Sequence, residues 1–158
     1  MTFPEVERGT YLIVRTDGTE KLVREKPTSE AISRAIGADV VGNEILTWRQ
    51  GPPILLDKAA MIAAAKALGF DHVLMLDADF ERLRQGLRAD LIMCVDDKGY
   101  EAHKVETPGH TTMVADRARL PVNQKASEWY WAVCKPEYRE HPVVGDVVLA
   151  RDQDFAKR

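Results

Sequence analysis

Tyr11-Leu12-Ile13-Val14-Arg15-Thr16-Asp17-Gly18-Thr19-Glu20-Lys21-Leu22-Val23 is the stretch on which the fold turns. Two short runs of β-forming residues flank Asp17-Gly18. Both turn residues tolerate positive φ, so Asp-Gly between apolar runs marks a hairpin. The reading is a strand over 10–15, a tight turn, and a return strand over 21–25. An antiparallel pair at the start of the chain calls for a sheet, and the sheet needs helices to cover it.

The next residues supply one. Pro27-Thr28-Ser29-Glu30 opens a helix with Thr28 or Ser29 as cap. Ala31, Ile32, Ala35 and Ile36 form its apolar stripe, and Gly37 stops it. Residues 39–48 read as a third strand, with Gly42-Asn43 as a bulge or turn. Gln50-Gly51-Pro52-Pro53 breaks the chain. Asp57 then caps an alanine-rich helix over 58–68 whose girth is largely apolar, which predicts burial or docking. Asp79 caps a short polar helix over 80–87. Residues 91–95 are a strand, Asp96-Asp97-Lys98-Gly99 a second hairpin turn, and 100–105 its return. Residues 107–120 read as a mobile surface loop with one short strand near 111–114.

Asn123 caps the clearest helix. Ala126, Trp129, Tyr130, Val133 and Cys134 recur at i, i+3, i+4, i+7 and i+8. Residues 143–150, interrupted by Gly145-Asp146, form the last strand. Hairpin, helix and strand on either side of a middle segment define the α+β class. The expectation is a mostly antiparallel sheet, helices packed on one face, and a helical insertion at about 50–90 of a single domain.

Composition narrows the function classes. The chain has 158 residues with 45% hydrophobic and 30% charged, which excludes collagen, coiled coil and wholesale disorder. At this length folding buries roughly 70% of the unfolded surface, so no metal or disulfide is required. The 22 basic residues fall short of the 25 acidic ones, a net charge of −3. Nucleic-acid binding draws on a basic footprint, so the charge argues against nucleic acid as a partner. Cys94 and Cys134 form no CxxC pair and read as reduced, buried thiols. The acidic start resembles no signal peptide, and the apolar run 59–65 is far short of the ~20 residues of a membrane span. A soluble, cytoplasmic protein without membrane contact or cofactor is expected.

Three blocks carry a family resemblance. The first is Tyr11-Leu12-Ile13-Val14-Arg15-Thr16-Asp17-Gly18-Thr19, continuing through Ile36. The second is the strand and hairpin from Leu91 to Tyr100. The third pairs Leu120-Pro121-Val122-Asn123-Gln124-Lys125-Ala126 with Pro142-Val143-Val144-Gly145-Asp146-Val147-Val148. In this order they resemble a family of short uncharacterised proteins from bacteriophages, plasmids and actinobacteria, over roughly residues 10–48 and 90–152. The middle, 49–90, is longer than that pattern usually allows. The resemblance implies a compact α+β fold and a mobile-element origin. It implies no activity and transfers no catalytic residue.

Several constellations invite chemistry. His72-Val73-Leu74-Met75-Leu76-Asp77-Ala78-Asp79 resembles the strand-end Asp-x-Asp of nucleotide-sugar glycosyltransferases, where two carboxylates hold a divalent cation against a diphosphate. The chain upstream holds a hairpin rather than a nucleotide-binding half, and no Gly-rich phosphate loop exists. Helix capping by Asp77 or Asp79 is the simpler reading, and whether a metal binds there is left open. His103 and His110 flank a loop with Glu101 and Glu106. With no nucleophile motif, no catalytic residue is assigned.

Trp131 lies off the core stripe of its helix, on the face of Gln124 and Ser127, so it is either covered by the inserted segment or offered as a partner contact. Trp48 is a second. The leading expectation is a non-catalytic interaction protein. It would bind another protein or itself through the alanine-rich helix and a surface including Trp131, Trp48, Arg117, Arg119 and Lys125. A small-molecule or nucleotide binder using Asp77, Asp79, His103 and His110 is one alternative. A nucleic-acid accessory protein is another, with Arg82, Arg84, Arg88, Arg117, Arg119 and Lys125 gathered near Trp131.

Overall fold

The computed structural model describes residues 2–53, 57–69, 81–82, 84–136, 139 and 141–155. The chain divides into two compact units, one of residues 1–46 with 90–158 and the other of residues 47–89.

The first unit is built on five antiparallel strands. β1 (Tyr11–Val14) and β2 (Glu20–Val23) are the expected hairpin, with Asp17 accepting hydrogen bonds from the Thr19 N–H at 2.9 Å and hydroxyl at 2.7 Å. α1 (Ser29–Ile36) follows, capped by the Thr28 hydroxyl and stopped by Gly37 at φ 75°. β3 (Val41–Ile45), β6 (Leu91–Asp96) and β9 (Val147–Arg151) complete a sheet ordered β2-β1-β9-β6-β3. The α+β class with a mostly antiparallel sheet is as expected.

The central strands β1, β6 and β9 are buried along nearly their whole length. That pattern requires cover on both faces. Leu12, Val14, Met93, Val147 and Leu149 share one face through the β1–β9–β6 register and cluster with Ala126 and Trp129 of α3 (Gln124–Val133). Tyr11, Ile13, Cys94, Val148 and Ala150 point the other way, toward α1 and its buried Ile32. The two helices therefore lie on opposite faces of the sheet rather than together on one. Uninterrupted apolar runs such as Val147-Val148-Leu149-Ala150 carry that information, because a one-faced sheet would alternate.

The motifs around Asn123 and Gly145 interlock. Asn123 is 1% exposed. Its Oδ1 accepts the Ala126 N–H, capping α3, while its Nδ2 donates to the carbonyls of Val14 at 3.0 Å and Gly145 at 3.1 Å. Asp146 then accepts from the Thr16 N–H and pairs with Arg15 at 2.9 Å. One buried amide thus joins the end of β1, the start of β9 and a helix N-terminus.

Further expectations change. Residues 96–99 turn the chain but close no hairpin, because β6 pairs with β3 and β9 and not with 100–105. Residues 39–48 are not one strand: Gly42 and Asn43 pair in regular register with Val95 and Cys94, and Trp48–Gln50 forms a separate strand, β4. Residues 107–120 are no loop but most of a long ribbon, described below. The helix expected over 80–87 includes Glu81, Arg82 and Arg84, yet Gly86, at φ 82°, turns the chain into strand β5 (Leu87–Ala89).

The second unit therefore pairs β4 with β5 and also holds α2 (Lys58–Ala67). α2 is mostly exposed, and among its described side chains Ile62 is half-buried. Of the two expectations for this helix, burial is not seen among the described residues.

Candidate functional site

Two strands stand apart from the main sheet. β7 (Tyr100–Thr107) and β8 (His110–Ala118) pair only with each other, forming a ribbon closed by Pro108-Gly109. Gly109 has φ 77°, the value a turn with proline in its second position and glycine in its third requires. The flanking Thr, Val and Met residues are strand formers. Strands at 100–105 and near 111–114 are readable in the sequence, but not their pairing with each other, because the ribbon's alternation carries no core: none of its described side chains from 104 to 114 belongs to the buried cluster. From 104 to 113 every residue is exposed, including Val105 at 41% and Met113 at 58%.

The β6–β7 turn anchors the ribbon. The Arg119 N–H donates to the Gly99 carbonyl at 2.8 Å, and its guanidinium reaches the Lys98 carbonyl at 3.3 Å. Gly99 is packed so that a Cβ would sit 2.8 Å from Val144. The Tyr100 hydroxyl donates to the Pro142 carbonyl, and its ring meets His141 edge-on with centroids 6.1 Å apart. Burial pushes the Tyr100 phenol up from its ordinary value.

A cavity of about 200 Å³ opens at this root, lined by Glu44, Asp96, Asp97, Tyr100, Tyr130 and His141 among others. Gly42 explains how two carboxylates meet there. A Cβ at 42 would lie 2.8 Å from the Asp97 Oδ1, so the bare strand leaves room for that side chain. Desolvation pushes the Glu44 carboxyl up, and the neighbouring Asp97 charge adds to the shift.

The other candidate residues fall as follows. Trp131 is half-buried, and its indole N–H donates to the His141 carbonyl at 3.2 Å. The face it shares with Ser127 is covered: Ser127 is fully buried, accepting the Val143 N–H at 2.8 Å and donating to the Asn123 carbonyl at 2.7 Å. Lys125 donates to the Gly18 carbonyl at 2.8 Å and approaches Glu20 at 3.4 Å, holding the first hairpin turn. Trp48 is 40% exposed, with the Arg82 guanidinium 5.0 Å above its ring.

His103 and Arg117 occupy ribbon positions opposite Val114 and Glu101, and their side chains lie outside what is described. His110 sits at the tip, opposite Thr107. His103 and His110 are therefore four steps apart along the ribbon, about 13 Å at the usual strand rise. Asp77 and Asp79 lie outside the described residues. Among the described residues, no three His, Cys, Asp or Glu side chains gather in a metal-holding group. Burial pushes the Cys94 thiol up to about 12, leaving it un-ionised at neutral pH. No helix of the described residues is long and apolar enough to cross a membrane.

Comparison with family models, curated proteins and solved structures finds no match to this chain. The geometry itself defines a class: an α+β chain whose two-sided sheet carries an exposed two-stranded ribbon.

Proposed function

We propose that this chain is a non-catalytic interaction protein whose working element is the β7–β8 ribbon. The supporting observation is the exposure of both faces and both edges of the ribbon from 104 to 113, with Val105 and Met113 presented to solvent. A two-stranded ribbon is marginal on its own in water, so a partner that adds strands or covers a face stabilises it. The exposed α2 fits the same reading. The resemblance to phage and plasmid chains extends it to an accessory role on a mobile element.

The test is a shortened chain in which His103 and Val114, a hydrogen-bonded pair of register partners across the ribbon, are joined by Asn-Gly. Tagged whole and shortened chains are recovered from the cells that express them, and the bound proteins, second copies included, are quantified. A specific partner held by the whole chain and lost on shortening supports the reading. Equal recovery with both chains overturns it, as does saturable turnover by the purified chain.

A second reading follows from the cavity at the ribbon root. Carboxylates beside aromatic rings suit a small organic cation, which draws on ion pairing and ring faces together. It predicts a rise in melting temperature with an alkylguanidinium salt that sodium chloride does not reproduce and Glu44→Gln removes. Identical shifts for both salts would exclude it.

A further inference from the structure

Resting on the reading of the ribbon as an interaction element, we propose that the partner of its β7 edge is β7 of a second copy of this chain. The pairing is antiparallel and centred on Val105, and it sets Lys104 of each copy opposite Glu106 of the other.

The backbone defines which registers are allowed. Thr107 and His110 flank a two-residue turn, so they form the hydrogen-bonded pair that closes the hairpin. Bonded and non-bonded pairs alternate along an antiparallel ladder. Val105 with Thr112 and His103 with Val114 are then bonded pairs. Lys104 and Glu106 aim their N–H and C=O groups away from β8, at an edge with no strand neighbour among the described residues. A second β7 can use those groups only where outward residues meet outward residues, so the twofold axis passes through a residue and not between two.

Charge then selects among the centres. Centring on Lys104 sets lysine against lysine, and centring on Glu106 sets glutamate against glutamate. Centring on His103 sets Ala102 against Lys104 and leaves both charges unmatched. Centring on Val105 forms two Lys104–Glu106 pairs in hydrogen-bonded positions, with Val105 against Val105 between them. Opposite charges directly across a ladder favour pairing and like charges oppose it. Neither Lys104 nor Glu106 is engaged in an ion pair within the described chain, so both are available. A lysine on an edge strand discourages indiscriminate pairing. The Val105-centred register neutralises it, which makes the edge selective for its own copy. The contact is isologous and closes as a dimer with a four-stranded sheet.

The experiment is sedimentation velocity across a concentration series, on the wild-type chain, Lys104→Glu, Glu106→Lys and the double exchange. Both positions are exposed surface, and circular dichroism checks that each chain folds. The wild type is expected to dimerise. Each single variant places like charges across both pairs and is expected to dimerise at least roughly tenfold more weakly. The double exchange is expected to recover the wild-type affinity. An equimolar mixture of the two single variants is expected to form a heterodimer, because a Glu-Glu edge meets a Lys-Lys edge. A monomeric wild type at every concentration overturns the inference, as do single variants that dimerise like the wild type. In either case ribbon-dependent capture of a different protein would leave the broader reading standing, and its absence would remove both.

Discussion

Asn123 does two jobs with one side chain, and substitutions separate them. Alanine removes the cap of α3 and leaves the Val14 and Gly145 carbonyls unpaired inside the core. The expected loss is about 2–4 kcal/mol in urea denaturation. Aspartate keeps the acceptor for the Ala126 N–H but offers no donor and brings a buried charge toward two carbonyls. Asn123→Asp is therefore expected to be at least as destabilising as Asn123→Ala, whereas a pure capping role would make it nearly neutral. Glu44 behaves in the opposite sense to a paired carboxylate. Its folded pKa is raised by desolvation and by Asp97, so its contribution to stability is present at low pH and is lost as pH rises through the folded value. Glu44→Gln is expected to raise the melting temperature at pH 7, by a gain of under about 1 kcal/mol for a half-buried group, with no gain near pH 3. Thermal melts of both chains at the two pH values check the sign.

Elements whose residues enter the core are legible in the sequence, while of the ribbon only strand segments at 100–105 and near 111–114 are, and not their pairing. The Asp17-Gly18 hairpin, the Thr28 and Asn123 caps and the Gly37 stop are local chemistry, visible without tertiary context. Val147-Val148-Leu149-Ala150 announced a doubly covered strand, and only the assumption that one face suffices hid the opposite placement of α1 and α3. The pairing and the full length of β8 are not legible, because strand signals rest on alternating burial, and this element buries neither face along 104–113. On the Trp131 face, helical geometry counts Ser127 as polar and exposed, while in the fold its hydroxyl serves the crossing 142–144 segment. Gly42 was read as a bend, yet it makes space for a carboxylate. Because none of the described side chains from 104 to 113 joins the core cluster, shortening the ribbon at His103 and Val114 is expected to change folding stability by less than about 1 kcal/mol. A larger loss in urea denaturation would make the ribbon part of the frame instead of an appendage.

Across the whole molecule, polar chemistry is spent on joining elements. Asn123, Ser127, Asp146, Lys125 and Arg119 each hold a turn, a cap or a strand end, while the ribbon extends from that frame with its backbone edge unpaired. An unpaired edge in one molecule is a template for another strand, and the charge pattern at 104 and 106 makes a second copy the matching one. The most direct measurement is amide hydrogen exchange along the ribbon at low and high protein concentration. The account predicts that the Lys104 and Glu106 amides, which point away from β8, exchange fast when dilute and become protected on concentration, while Val105, already bonded within the ribbon, changes far less. Fast exchange at both amides at every concentration, or protection that rises uniformly along the ribbon, would contradict it.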